Sequence, residues 1–260
     1  MAWQPVLKGT MTSVSTATHQ GSRYHQEDRA VVLEGINPSW GQLLLVADGH
    51  SGSECADIVA RDVSDIWKAL LAPPRTSQIN RIKILFRILD DKTKGCNSGA
   101  AVSVVFIPRS QHFAYVGVLG DAPVFIWTKS SKLWRAPEHN VRSNPAEAKA
   151  AEERGGRVWL GYLQYGEYGL QMSRALGDWN MRSVLLQAPE CFRVPIGTDS
   201  FVLVGSDGVL DPGHRSIATN GQPIIDMIIA GGTADDIVNR AVGIPTRDNA
   251  TAILWRASRI

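Results

Sequence analysis

The residue pattern predicts an α+β domain in which two packed antiparallel β-sheets are flanked by α-helices. Three observations point there. Short apolar runs separated by turn residues recur along the chain, two amphipathic helical stretches follow one another without an intervening strand, and no internal repeat is present. The element order is strands, two helices, strands, one helix, strands, helices, strand. That order favours an antiparallel sandwich over a doubly wound parallel sheet, which needs regular strand and helix alternation.

Each element has its own signal. Thr12 to Thr18 alternates weakly, and Ala30–Leu33 and Leu43–Ala47 are apolar runs separated by a turn from Gly35 to Gly41. Ser51 with Glu54 resembles a capping box, after which Val59, Val63, Ile66, Trp67 and Leu70 recur at helical spacing up to Pro73-Pro74. A second helix is predicted from near Ser77 to Asp91, with Ile79, Ile82, Leu85, Phe86 and Leu89 on one face. The runs Ala100–Ile107, His112–Leu119 and Pro123–Trp127, divided by Pro108-Arg109-Ser110 and Gly120-Asp121, read as a strand meander.

Further along, Asn144, Pro145 and Glu147 fit an N-cap, a first-turn proline and a capping partner for a short helix ended by Gly155-Gly156. Val158 to Gly169 has no clean period and predicts a surface loop or flap. Phe201–Gly205 and Ala250–Trp255 read as strands, Ile224–Ile229 and Asp236–Val242 as helices, the latter capped by Thr233.

The chain has 260 residues, a length that buries a large core within one domain spanning residues 1–260. Its 27 basic and 25 acidic side chains give a net charge of +2, with no run of five like charges, so no nucleic-acid partner is expected. No basic leader followed by an apolar stretch opens the chain, and the longest apolar runs are strand-length, so no membrane association and a cytoplasmic monomer are expected. Cys55, Cys96 and Cys191 are odd in number and widely spaced, a pattern that fits neither a disulfide framework nor a zinc site.

The chemistry lies in the acidic residues. Asp48-Gly49-His50 ends one apolar run, Ser206-Asp207-Gly208 follows another, Asp248-Asn249 precedes a third, and Glu27-Asp28 lies upstream. Carboxylates placed repeatedly where strands leave a core predict a polynuclear site for hard divalent ions. Such a site points to metal-assisted hydrolysis. The remaining histidines form no HExxH or paired spacing, which argues against a zinc hydrolase.

Six ordered segments then carry a resemblance: Gly21 to Asp28, Val46 to Gly52, Gly117 to Asp121, Ser173 to Asp178, Gly205 to Asp211 and Asp248 to Thr251. Together they resemble the metal-dependent serine/threonine phosphatases of the PPM class, also called the PP2C family. The resemblance implies a two-sheet sandwich with the active site at one end, two tightly bound Mn2+ or Mg2+ ions, and a phosphoserine or phosphothreonine protein as substrate. Asp48 then bridges the ions, Glu27 and the Gly49 carbonyl serve one, and Asp207 with Asp248 hold the other. Asp28 supports the centre from behind, Asp121 and Asp211 match positions of a weaker third ion, Arg23 binds the phosphoryl group and His50 protonates the leaving alkoxide. Asp178 is expected to fix its loop through hydrogen bonds.

The chain departs from the family pattern at Ala122-Pro123 in place of Ser-Arg, at Ser51 in place of glycine, and at Ala100 in place of threonine. None of these removes an expected ligand. The first alters the surroundings of Asp121 and predicts changed specificity before lost activity. Two alternatives stand beside the phosphatase reading: a slow, regulatory relative that keeps the metal site, and a phosphatase of small phosphorylated metabolites.

Overall fold

The computed structural model describes residues 11–34, 41–72, 76–109, 112–130, 132–210, 217–243 and 248–258. The turn predicted at Gly35 to Gly41 and the helix stop at Pro73-Pro74 fall largely or wholly outside them. Along the chain run β1 (Met11–His19), β2 (Arg29–Leu33), β3 (Gln42–His50), α1 (Glu54–Leu71) and α2 (Gln78–Lys92). A meander follows, with β4 (Gly99–Ile107), β5 (Phe113–Leu119), β6 (Val124–Thr128) and β7 (Lys132–Arg135). Next come α3 (Pro145–Glu153), β8 (Arg157–Trp159), β9 (Tyr162–Tyr165), β10 (Tyr168–Leu170) and β11 (Leu176–Gly177). The chain continues through β12 (Glu190–Pro195), β13 (Phe201–Gly205), α4 (Ile217–Ile229), α5 (Ala234–Val242) and β14 (Ala250–Ser258).

Two antiparallel sheets form the body, one ordered β1-β14-β13-β6-β7 and the other β12-β5-β4-β3-β2, with β11 extending the latter beside β4. Period-two geometry divides their side chains. Leu44 and Val46 of β3 face the other sheet and pack with Val105 and Val116 of their own sheet and Val124, Ile126, Val204 and Ile253 of the facing one. Leu43, Leu45 and Ala47 face outward, where α1 and α2 cover them with Val59, Val63, Trp67, Leu85 and Phe86. On the opposite outer face, Leu203, Ala252 and Leu254 are covered by Ile224, Ile228 and Ile237 of α4 and α5. Because β3 is buried on both faces, it reads as a continuous apolar run instead of an alternation.

Local chemistry sets several boundaries. Ser77 caps α2, its hydroxyl accepting from Asn80 N, and Thr233 with Asp236 forms a complete capping box on α5. The Ser51–Glu54 box is absent. Ser53 is the N-cap of α1, without a side-chain cap bond, and Ser51 adopts φ +59° in the tight turn out of β3. Asn144 caps α3 as expected, but Glu147 turns inward to Ser173 and Arg174 instead of closing the box. The segment 158–169 is a small three-stranded sheet, β8-β9-β10, and not a loop. Its strands are only three or four residues long, joined by turns at Leu160-Gly161 and Gly166 with positive φ, so they show no measurable period.

Candidate active site

The acidic segments all emerge at one edge of the sandwich. β2 starts directly after Glu27-Asp28 and pairs Arg29 with Ala47, while β3 ends in Asp48-Gly49-His50, with His50 opposite Gly99 of β4. β13 ends at Gly205, just before Ser206-Asp207, and β14 begins at Ala250, just after Asp248-Asn249. Two glycines let these segments touch. A Cβ on Gly49 would lie 2.4 Å from the Glu27 carbonyl, and one on Gly208 would lie 1.8 Å from the Asn249 carbonyl.

Asp48 sits at the centre. Its Oδ2 accepts from the Asp207 amide at 3.0 Å. Withdrawal from solvent, followed by the charges of Asp207, Asp28 and Asp121, holds its carboxyl well above the usual range. Asp28 is buried, and its Oδ2 accepts from Ser206 Oγ at 2.7 Å, which in turn accepts from Thr251 N at 3.0 Å. Burial pushes Asp28 up to about 6, against the lowering effect of the Ser206 bond. Its Oδ1 is buried with no hydrogen-bond partner. Crowded carboxylates carrying an unsatisfied oxygen are costly unless a proton or a cation balances them. Oxygen-only donors of this kind suit Mg2+ or Mn2+.

A second layer of bonds fixes the approach loop. Glu27 Oε1 accepts from Gly52 N at 2.6 Å, and Glu27 N donates to Asn249 Oδ1 at 2.8 Å. Asn249 Nδ2 donates to the carbonyls of Gln20 and His25 at 2.7 and 3.0 Å. Arg23 donates to Asp248 Oδ2 at 2.8 Å, and the other Asp248 oxygen accepts from Asn249 N at 2.9 Å. Arg23 therefore stands at the rim beside an expected ligand.

His50 Nε2 donates to Asp178 Oδ2 at 2.8 Å. Burial alone would lower the pKa of His50, but the hydrogen bond and charge of Asp178, with Asp121 and Glu27, outweigh it and raise it. Asp121 is buried, and its Oδ2 accepts from Asn140 Nδ2 at 2.8 Å. Asp211 lies outside the described residues. Sequence reasoning assigned no role to Asn249 or Asn140. Asn249 stood inside a quoted segment, whereas nothing local to Asn140 marks it.

Among the described residues, one group of three ligand-type side chains has its donor atoms within 4.8 Å of one another: His139, Glu147 and Glu190. The sequence had not singled out this cluster, and the expected carboxylates do not form such a group. Arg174 already supplies a cation there, donating to both Glu147 and Glu190. His139 Nδ1 accepts from Gly120 N at 3.1 Å, so Nε2 carries the hydrogen; Nε2 lies 3.6 Å from Glu190 Oε1 and makes no hydrogen bond. Burial and then the Arg174 charge lower the pKa of His139. The cluster has metal-like spacing but is already balanced by a guanidinium.

The sandwich and its acidic edge define a class that includes solved serine/threonine phosphatases. Residues 12–214 match the family described as Protein phosphatase 2C, and the chain belongs to that family. It is 28% identical over 227 residues to "Protein phosphatase fem-2" of Caenorhabditis elegans, covering 80% of this chain and 50% of that protein. A serine-threonine phosphatase 2C from Toxoplasma gondii superposes with a TM-score of 0.74 at 18% identity, covering 95% of each chain. The catalytic domain of the serine/threonine protein phosphatase PstP, solved with two manganese ions, gives a TM-score of 0.65 at 14% identity, covering 95% of this chain and 99% of that one. The chain spans between half and about two-thirds of the length of the curated relatives it matches. No helix among the described residues is long and apolar enough to cross a membrane.

Proposed function

We propose that this chain is a metal-dependent phosphatase that hydrolyses phosphoserine and phosphothreonine in proteins, working as one catalytic unit. The observation that carries the reading is the convergence of Asp207, Asp28 and Asp121 on Asp48, whose charge they jointly oppose at the edge where four strands start or end. Pairing of β1 with β14 over nine residues ties the two ends of the chain into the same sheet and supports treating it as a single unit.

In this reading Asp48 would hold both ions of a pair, with Glu27 and the Gly49 carbonyl serving one and Asp207 with Asp248 the other. Two bound ions in a related phosphatase support that count. Asp28 would back the pair through Ser206, and Asp121 and Asp211 match the positions of a weaker third ion. When bound, the ions supply an acidified water as nucleophile and positive charge to offset the phosphoryl oxygens.

The protein's own groups do the rest. Arg23, with a half-exposed guanidinium, turns from Asp248 to two phosphoryl oxygens, a planar fork that a lysine would not match. As water oxygen bonds to phosphorus and the bond to the seryl or threonyl oxygen breaks, His50 gives that oxygen a proton, leaving an alcohol and inorganic phosphate. A monomer in the cytoplasm completes the proposal, and the three free cysteines suit such a reducing compartment.

The test is phosphate release from a phosphothreonine peptide with and without manganese, comparing the intact chain with Asp207→Ala. Release that needs both manganese and Asp207 is the expected result. Inactivity of the intact protein with metal would overturn the reading in favour of a regulatory relative, and preference for a metabolite panel over the peptide would overturn the substrate class.

A further inference from the structure

Asp178 lies 128 positions beyond His50, yet their side chains meet at 2.8 Å, both largely removed from solvent. Three features prepare this contact. First, Asp178 adopts a left-handed backbone, φ +46° and ψ +50°, held by its amide donating to the Ser98 carbonyl at 3.0 Å and by Trp179 N donating to the Cys96 carbonyl at 2.9 Å. An aspartate tolerates this region better than most side chains do. Second, although it stands at the N-cap of the 3-10 turn Trp179–Met181, its carboxylate makes no cap bond. The usual use of an aspartate at that position is forgone.

Third, Gly99 clears the space. A Cβ there would lie 2.0 Å from Asp178 Oδ2 and 2.3 Å from His50 Nε2, so the pair occupies the volume that any other residue opposite His50 would fill. With Nε2 committed to Asp178, His50 Nδ1 is buried and without a protein partner. It is the ring nitrogen with hydrogen-bonding capacity left.

We propose that Asp178 is a positioning residue for His50, accepting the Nε2 hydrogen and fixing the ring orientation from which the doubly protonated ring gives its Nδ1 hydrogen to the departing oxygen. The inference rests on the phosphatase reading and assigns a partner to one of its groups. A purely structural Asp178 would hold the 3-10 turn, and its loss would slow every substrate alike.

The experiment compares kcat and KM on a phosphothreonine peptide, whose alkoxide needs a proton to leave, and on 4-nitrophenyl phosphate, whose phenolate does not. Asp178→Asn is close to isosteric and keeps the left-handed backbone. Gly99→Ala disturbs the contact while retaining both partners. In each variant the ratio of peptide to aryl kcat falls about 10- to 100-fold, with KM changed less than about threefold, a share of the effect expected of general acid catalysis. The double variant His50→Ala with Asp178→Asn is no slower on the peptide than His50→Ala alone.

Equal losses on both substrates, or a further loss in the double variant, would overturn the proposal. A readout independent of turnover is the pair of ring 15N shifts of His50 in metal-free protein at fixed pH. The intact chain shows a single environment with the hydrogen on Nε2, and Asp178→Asn shows a changed one. If the intact chain releases phosphate from neither substrate, the phosphatase reading fails. The ring spectra then decide alone, and unchanged spectra in Asp178→Asn overturn the positioning role.

Discussion

Arg23 and Asp248, 225 positions apart in the chain, form an ion pair at 2.8 Å. One is the expected phosphate-binding arginine and the other an expected metal ligand, so the two halves of the site restrain each other before substrate arrives. Arg23 is half exposed, and a pair of this kind contributes at most about 1 kcal/mol to folding. Arg23→Ala therefore leaves the denaturant midpoint nearly unchanged while lowering kcat/KM on phosphopeptides about 10- to 100-fold, as loss of a bidentate phosphate contact should. A parallel loss of stability and activity would point to a structural role.

Asn249 makes three side-chain hydrogen bonds that staple the loop carrying Arg23 and Glu27 to the start of β14. Asn249→Ala strands the Glu27 amide and two carbonyls, at a cost of about 2–4 kcal/mol. Chemical unfolding measures that loss. Manganese affinity measured by calorimetry falls with it, although Asn249 is not an expected ligand.

Stability of the metal-free protein depends on pH through Asp28. Its folded pKa of about 6 lies above the ordinary value of 3.8, so between those values the folded chain holds a proton that the unfolded chain has released. The contribution of Asp28 is therefore greatest at the acidic end of this window, declines as pH rises through 6 and levels off above it. The gap between the two values corresponds to roughly 3 kcal/mol at most. Thermal melts at pH 5 and 7.5 check the sign. Asp28→Asn makes the profile shallower, leaving the part that Asp48 contributes, and added manganese offsets the loss at the higher pH.

Arg174 is mostly buried between Glu147 and Glu190. Arg174→Met leaves both carboxylates without their cation and destabilises the fold by about 3–5 kcal/mol in urea titration. The same cluster provides a test of metal location. His139→Ala leaves the number of bound manganese ions unchanged, whereas Asp207→Ala reduces it; the opposite result would move the metal centre to His139, Glu147 and Glu190.

Elements with a local cause were legible in the sequence. Ser77 and Thr233 start helices because a hydroxyl beside free amides caps them, and the apolar stripe from Ile82 to Leu89 faces the sheet as its spacing required. β12 was missed because Arg193 and Pro195 interrupt its pattern, which an edge strand tolerates. Strand pairing was illegible, since β3 and β4 are buried on both faces and a continuous apolar run carries no face label. The acidic segments were visible from their positions beside apolar runs. The contacts of His50 with Asp178 and of Asp121 with Asn140 were not, because each depends on how distant strands come into register.

The seam between β1 and β14 has a consequence for synthesis. Asp248 and Asn249 leave the ribosome more than two hundred residues after Glu27 and Asp28, and β1 lacks its partner until then. A nascent chain carries a half-built acidic edge with no counterpart to close it. The complete acidic edge forms only when β14 docks between β1 and β13, so the stretch carrying Glu27, Asp28 and Asp48 cannot assemble it unaided.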